Sequence, residues 1–238
     1  MRPTLLAALT SSLLLSSAAA GDALALLQSD TSFEPEPPAA AEAPSNWYAR
    51  AEVGVNLMDN LDPKSALGQF HMHPGLDVGA SVGYYFTETI AVEAQAGVSW
   101  NRFKEWTQGT KPAIDATGDF IQVPLVANIV FRIPLTNEGL EPIFGEDAEL
   151  LLYAGGGGQY ANGTMNAEGA DIFTADGWTF RYQVGAALNA QFTDTMKFGL
   201  YFRFARSGSL DASQPLGADI SFSSLTNYAV GMNLSLKF

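Results

Sequence analysis

Nine ionisable residues stand where a charge is costly to keep: Arg50, Glu52, Asp77, Glu93, Arg132, Arg181, Lys197, Arg203 and Lys237. Each alternates with apolar neighbours, so in extended backbone it points to the opposite face from them. Buried charges persist only when paired or hydrated. A set carrying both signs therefore reads as an ion-paired plug. The alternative is a narrow, mildly anion-preferring path.

Other chemistry is poorly supplied. His71 and His73 are the chain's two histidines, with Met72 between them. Alternate residues of an extended segment point the same way and could share a metal. Two ligands without a defined third make a weak site, and an exposed loop is the preferred reading. An acyltransferase or serine hydrolase needs a histidine beside a nucleophile and an orienting acid. No such motif is recognisable, and Ser207, Ser209 and Asp211 read as loop residues. Gly155 to Gly158 lack the lysine and helix of a phosphate loop. Asn162-Gly-Thr164 has the form of a glycosylation sequon, a short pattern that carries little meaning by itself. The absence of cysteine excludes disulfides, thiolate nucleophiles, thiolate metal sites and a lipid anchor on an N-terminal cysteine. Neither a cofactor nor an enzymatic activity is expected.

The elements that carry the nine charges have a period of two. Trp47 to Met58 puts Ala49, Ala51, Val53, Val55 and Leu57 on one face, with Tyr48, Arg50, Glu52, Gly54 and Asn56 on the other. The same alternation runs through Gly75–Phe86, Ile90–Asn101, Phe120–Arg132, Trp178–Phe192, Met196–Ala205 and Asn227–Phe238. Leu150–Tyr160 belongs to the series, although its four consecutive glycines blur the parity. Most segments suit the ~9–11 residues that a tilted strand needs to cross a bilayer.

Composition agrees. Hydrophobic residues make up 47% and charged residues 16%, below the ~25% charge of typical soluble domains. After the N-terminal region no apolar run is long enough for a spanning helix. An open sheet in lipid would leave its edges unpaired, so the strands must close. The expected fold is all-β: a closed antiparallel transmembrane barrel of about eight strands, up and down, over residues 47–238. A soluble ligand-carrying barrel would reverse the faces. Here the polar face holds too many glycines, serines and single charges for a solvated exterior, and the apolar face ends in aromatics, including Trp47, Trp100, Phe131, Phe192 and Phe238.

Residues 1–20 read as a cleaved secretory signal peptide: Met1-Arg2, an apolar core from Leu5 to Leu15, then Ala18 to Ala20. A cut after Ala23 is the alternative. Residues 21–46, with Pro35, Pro37, Pro38 and Pro44 among alanines and acids, read as a flexible tail. The net charge of −13 argues against nucleic acid as a partner. The acids Glu138, Glu141, Glu146, Asp147 and Glu149 cluster in one connection and read as a solvated loop.

The signal peptide, the alternating strands and the closing run Tyr228-Ala-Val-Gly-Met-Asn-Leu-Ser-Leu-Lys-Phe238 resemble the eight-stranded bacterial outer-membrane β-barrel family of the outer-membrane protein A/X type. The resemblance covers about residues 47–238 and implies residence in the bacterial outer membrane among its lipids. It implies that Tyr228, Leu234, Leu236 and Phe238 form the signal read by the barrel-assembly machinery. No cell-wall-binding domain is expected after the barrel. The family includes adhesins, structural anchors, small pores and a few lipid-modifying enzymes. Connections of 16, 18, 17 and 21 residues after the first, third, fifth and seventh strands read as long outer loops. Trp106, Phe173 and Phe222 are expected to be exposed there, so an extracellular ligand held by the loops is the leading role. A small pore is the runner-up and a lipid-modifying enzyme the third.

Overall fold

The computed structural model describes residues 46–63, 68–135, 148–213, 219–222 and 224–238. The residues read as a signal peptide (1–20), those read as a tail before residue 46 and four of the clustered acids (Glu138, Glu141, Glu146 and Asp147) lie outside them.

All regular structure among the described residues is strand: β1 (Trp47–Met58), β2 (Gln69–Met72), β3 (Gly75–Tyr85), β4 (Ile90–Thr107), β5 (Ile114–Pro134), β6 (Glu149–Ala167), β7 (Ala170–Gln191), β8 (Met196–Ser207), β9 (Leu210–Ser213), β10 (Asp219–Phe222) and β11 (Leu225–Lys237). Eight of them close an antiparallel ring, β1-β3-β4-β5-β6-β7-β8-β11, which returns to β1 through eleven register pairs from Tyr48↔Lys237 to Met58↔Asn227. Closure leaves no edge, so every long strand has a hydrogen-bonded neighbour on both sides. The ring confirms the expected fold class.

The outer face carries large apolar side chains that are exposed, among them Val53, Val78, Val98, Leu125, Ile129, Val184, Leu200 and Val230. A contiguous surface of this kind needs an apolar solvent, which the bilayer supplies. Glycine and tyrosine fit together inside. Tyr48, Tyr153 and Tyr201 each face a glycine on the neighbouring strand, at Gly83, Gly185 and Gly231. A Cβ at Gly83 or Gly185 would fall within the opposing tyrosine ring.

The strands differ in height. β1, β3, β8 and β11 hold 12, 11, 12 and 13 residues. β4, β5, β6 and β7 hold 18, 21, 19 and 22, about ten more than a crossing requires. Two of the expected long loops are therefore mostly strand. The β6–β7 connection shrinks to Glu168 and Gly169, both at positive φ (50° and 82°), as a two-residue I′ hairpin requires.

Above the shorter strands the tall hairpins form a second storey. β2 pairs with β4, and β9 with β7 and β10. Isolated bridges Leu61↔Phe70 and Pro63↔Phe222 join the remaining sides. Its interior is apolar: Leu61, Phe70, Phe103, Phe120, Met165, Phe173, Leu210, Phe222 and Leu225 are all buried together. The expectation that Phe173 and Phe222 are exposed is corrected here, since both are 0% exposed; Trp106 is half-buried against Phe70.

The faces exchange polarity between the storeys. Below the level of Trp100 and Trp178 the strands are apolar outside and polar inside. Above it the outer face turns to Arg102, Lys104, Asp119, Thr117 and Asp176, and the inner face to Phe103, Phe120, Met165 and Phe173. Trp100 Nε1 donates to Asp119 Oδ1 at 2.9 Å on this line. The exchange marks the upper edge of the apolar solvent, where amphipathic rings belong.

Candidate functional site

The lower lumen is built in layers from inward-facing side chains. Six of the nine expected residues form its middle: Arg50, Glu52, Asp77, Glu93, Arg181 and Arg203, each at most 4% exposed. Arg50 Nη2 donates to Glu93 Oε1 at 2.8 Å, and its Nε lies 3.2 Å from Glu52 Oε1. Arg203 Nη1 donates to Glu52 Oε2 at 2.7 Å, and its Nη2 reaches Asp77 Oδ2. The chain Glu93–Arg50–Glu52–Arg203–Asp77 thus crosses the bore with alternating sign.

Neutral groups add to the coordination, though Arg50 Nη1 and Arg203 Nε find no hydrogen-bond partner among the described residues. Tyr48 and Asn128 donate to Glu93, Gln95 to Glu52, and Ser99 and Tyr201 to Asp77. Arg50 lies over the Tyr153 ring at 5.0 Å and Arg203 over the Tyr201 ring at 5.5 Å. Charges withdrawn from water are tolerable only under such dense pairing. Arg181 is the exception. Its Nη1 donates to Gln159 Oε1 at 2.7 Å, and among the described residues no carboxylate lies within ion-pair distance.

The other three expected residues stand at the end where β1 starts and β11 finishes. Arg132 is tied to an acid that the sequence reading left in a solvated loop. Glu149 is the first residue of β6 and 4% exposed; its Oε2 accepts from Arg132 Nε and from Lys197 Nζ, both at 2.6 Å. Asn189 donates to Glu149 Oε1 at 3.2 Å. Glu149 shares the inward parity of Leu151 and Tyr153, a signal masked by the run of acids before it. Lys237 is corrected: it is exposed at the rim, beyond the reach of the ion pairs.

Around this layer lies a cavity of about 520 Å³, open at the end where β1 starts and β11 finishes. Its floor is Leu151 and the paired rings of Tyr48 and Tyr85, 5.0 Å apart. At the other end of the lumen, Asn56, Asn101, Gln122 and Asn227 form a hydrogen-bonded amide layer directly beneath the apolar storey.

The remaining candidates separate. His71 Nε2 lies 3.3 Å from Thr107 Oγ1, a register irregularity follows it, and His73 is exposed. Among the described residues no cluster of three or more metal-ligating side chains occurs. Ser207 and Asp211 are not in a loop: Ser207 ends β8, buried beside Gln159, and Asp211 in β9 accepts from Ser221 Oγ at 2.6 Å. Tyr228, Leu234 and Leu236 lie on β11, and Phe238, just beyond it, donates its N–H to Trp47 O at 3.3 Å.

A family model described as the outer membrane protein beta-barrel domain matches residues 8–238. No curated protein matches the chain. Among solved structures, Neisserial surface protein A is 13% identical at a TM-score of 0.46, covering 83% of this chain and 100% of its own. OprG of Pseudomonas aeruginosa is 12% identical at 0.47, covering 81% and 96%. Ail of Yersinia pestis, in complex with the heparin analogue sucrose octasulfate, is 11% identical at 0.44, covering 80% and 99%. The likenesses to single structures are faint, and the assignment below rests on the family match.

Proposed function

The chain belongs to the outer membrane protein β-barrel domain family, and from that premise we propose that it is a non-conducting barrel whose raised hairpins serve an interaction at the cell surface. The observation that carries the reading is the double closure of the bore. A cross-braced ion-pair layer fills it at mid-height, and an apolar storey covers it above. A permeation path would have to cross both. The alternative of a small pore is the weaker reading for that reason.

The tall hairpins are paired along their length and packed on an apolar interior, and surface segments held on such a scaffold are where recognition resides. Their outer surface is acidic among the described residues. Asp115, Asp119, Glu168, Asp171 and Asp176 outnumber Arg102, Lys104 and Lys111 there. A cationic partner suits this surface better than an anionic glycan. No catalytic step is assigned.

Planar-bilayer recording of the purified barrel is the test. Insertion without discrete conductance steps is expected. Steps that persist in independent preparations overturn the closed reading and favour the pore. For the surface role, intact cells displaying the barrel are expected to bind cationic protein surfaces, with binding reduced when Asp171 and Asp176 are changed to asparagine.

A further inference from the structure

The cavity at the termini end has no part in that surface role, yet it is built like a binding site. Its volume lies in the range of small-molecule sites, and it combines an apolar floor with a few convergent polar groups. The floor is Leu151 with the rings of Tyr48 and Tyr85.

The walls offer cations in a fixed arrangement. Arg132 commits Nε to Glu149, which locks the plane of its guanidinium. Its two Nη groups have no hydrogen-bond partner among the described residues, and the side chain is 30% exposed. Lys237 stands at the rim. Ser235 Oγ is buried, faces the cavity and has no hydrogen-bond partner among the described residues. Glu149 is saturated by Arg132, Lys197 and Asn189, so its charge is spent inside the wall. The acids Glu88 and Asp194 sit on the turns at the mouth.

We propose that this cavity binds a small organic carboxylate with a compact apolar body, taken up from the periplasm. The carboxylate lies on the Arg132 Nη pair, which presents two parallel donors as a carboxylate requires. Ser235 and Lys237 stand across the cavity on β11, and the apolar body rests on Leu151 and the tyrosine rings. The filled mid-lumen beyond the cavity stops it there, so this is a receptor site and not the mouth of a path.

The test is titration of the complete barrel in detergent micelles, with binding followed by NMR shifts. Benzoate is the probe, with inorganic phosphate, benzylammonium and benzyl alcohol as comparisons. Saturable benzoate binding is expected, with the other three at least about tenfold weaker. Arg132→Lys keeps the ion pair to Glu149 but loses the planar fork, and is expected to weaken benzoate about tenfold. Lys237→Gln at the exposed rim is expected to weaken it about threefold. A heat-dependent gel shift identifies folded variants. Benzoate affinity unchanged in folded Arg132→Lys overturns the proposal. So does phosphate binding as tightly as benzoate, which would show a bare anion site, or no saturation with benzoate at all. Because the readout is binding and not conductance, these outcomes do not depend on the surface role.

Discussion

Arg50 and Glu93 face each other at 2.8 Å, with both side chains fully withdrawn from solvent. Removing one partner strands a charge in a space that offers it no water, whereas removing both need not. Glu93→Ala is expected to destabilise the folded barrel by about 3–5 kcal/mol. The double change Arg50→Met with Glu93→Leu is expected to cost much less. Urea unfolding midpoints in lipid vesicles check both, provided the slopes are unchanged. Equal losses for the single and double variants would mean that the pair contributes through shape and not charge.

Phe173 packs against Phe70, Phe222 and Phe103, with ring centroids 5.1, 5.3 and 5.6 Å away. Phe173→Ala should cost about 3–5 kcal/mol within the outer storey, as for other large buried aromatics. The membrane-embedded part lies below that storey and should keep its heat-dependent gel shift. Proteolysis of β9 and β10 from the outside is the sensitive readout, and it should quicken. An unchanged cleavage rate would show that the storey does not depend on this ring.

Tyr48 covers Gly83 so closely that a methyl group at Gly83 would enter the ring. Gly83→Ala is therefore expected to cost about 1–3 kcal/mol by overpacking. Truncating the ring as well, in Tyr48→Ala with Gly83→Ala, should remove the clash but not restore the bond to Glu93. A double-mutant cycle on unfolding free energies separates the two effects, and the coupling should be favourable to the double variant.

The turn at Glu168 and Gly169 should tolerate an inserted epitope, because both residues are exposed and only two residues join the strands. Antibody labelling of intact cells is expected, since the tall hairpins point outward when the termini face the periplasm. Labelling only after permeabilisation would invert the barrel.

Much of this was legible in the sequence. Alternation located the eight ring strands and the inward position of Arg50, Glu52, Asp77, Glu93, Arg181 and Arg203. Two things were not legible. Glu149 was hidden because its neighbours Glu146 and Asp147 made it look like one more loop acid, and parity was the sole clue to its side. The upper halves of β4 to β7 were hidden because the rule itself reverses there. Reading outward-apolar positions past Trp100 meets Arg102 and Lys104, which looks like the end of a strand. The strand continues, but outside the lipid its polar face must turn to water and its apolar face inward. Two-period patterns give the backbone; which face is wet depends on the solvent at each height.

That reversal also gives insertion a direction. Lipid offers phenylalanine nearly the same environment as a protein core, so nothing gathers Phe70, Phe103, Phe173 and Phe222 while their strands are still crossing. Once they emerge into water, the hydrophobic effect packs them together. Drawing the hairpins back would first require wetting those rings again. The outer storey thus works as a ratchet pawl, and the sheet that closes within the membrane is held on the far side by a knot tied only after arrival.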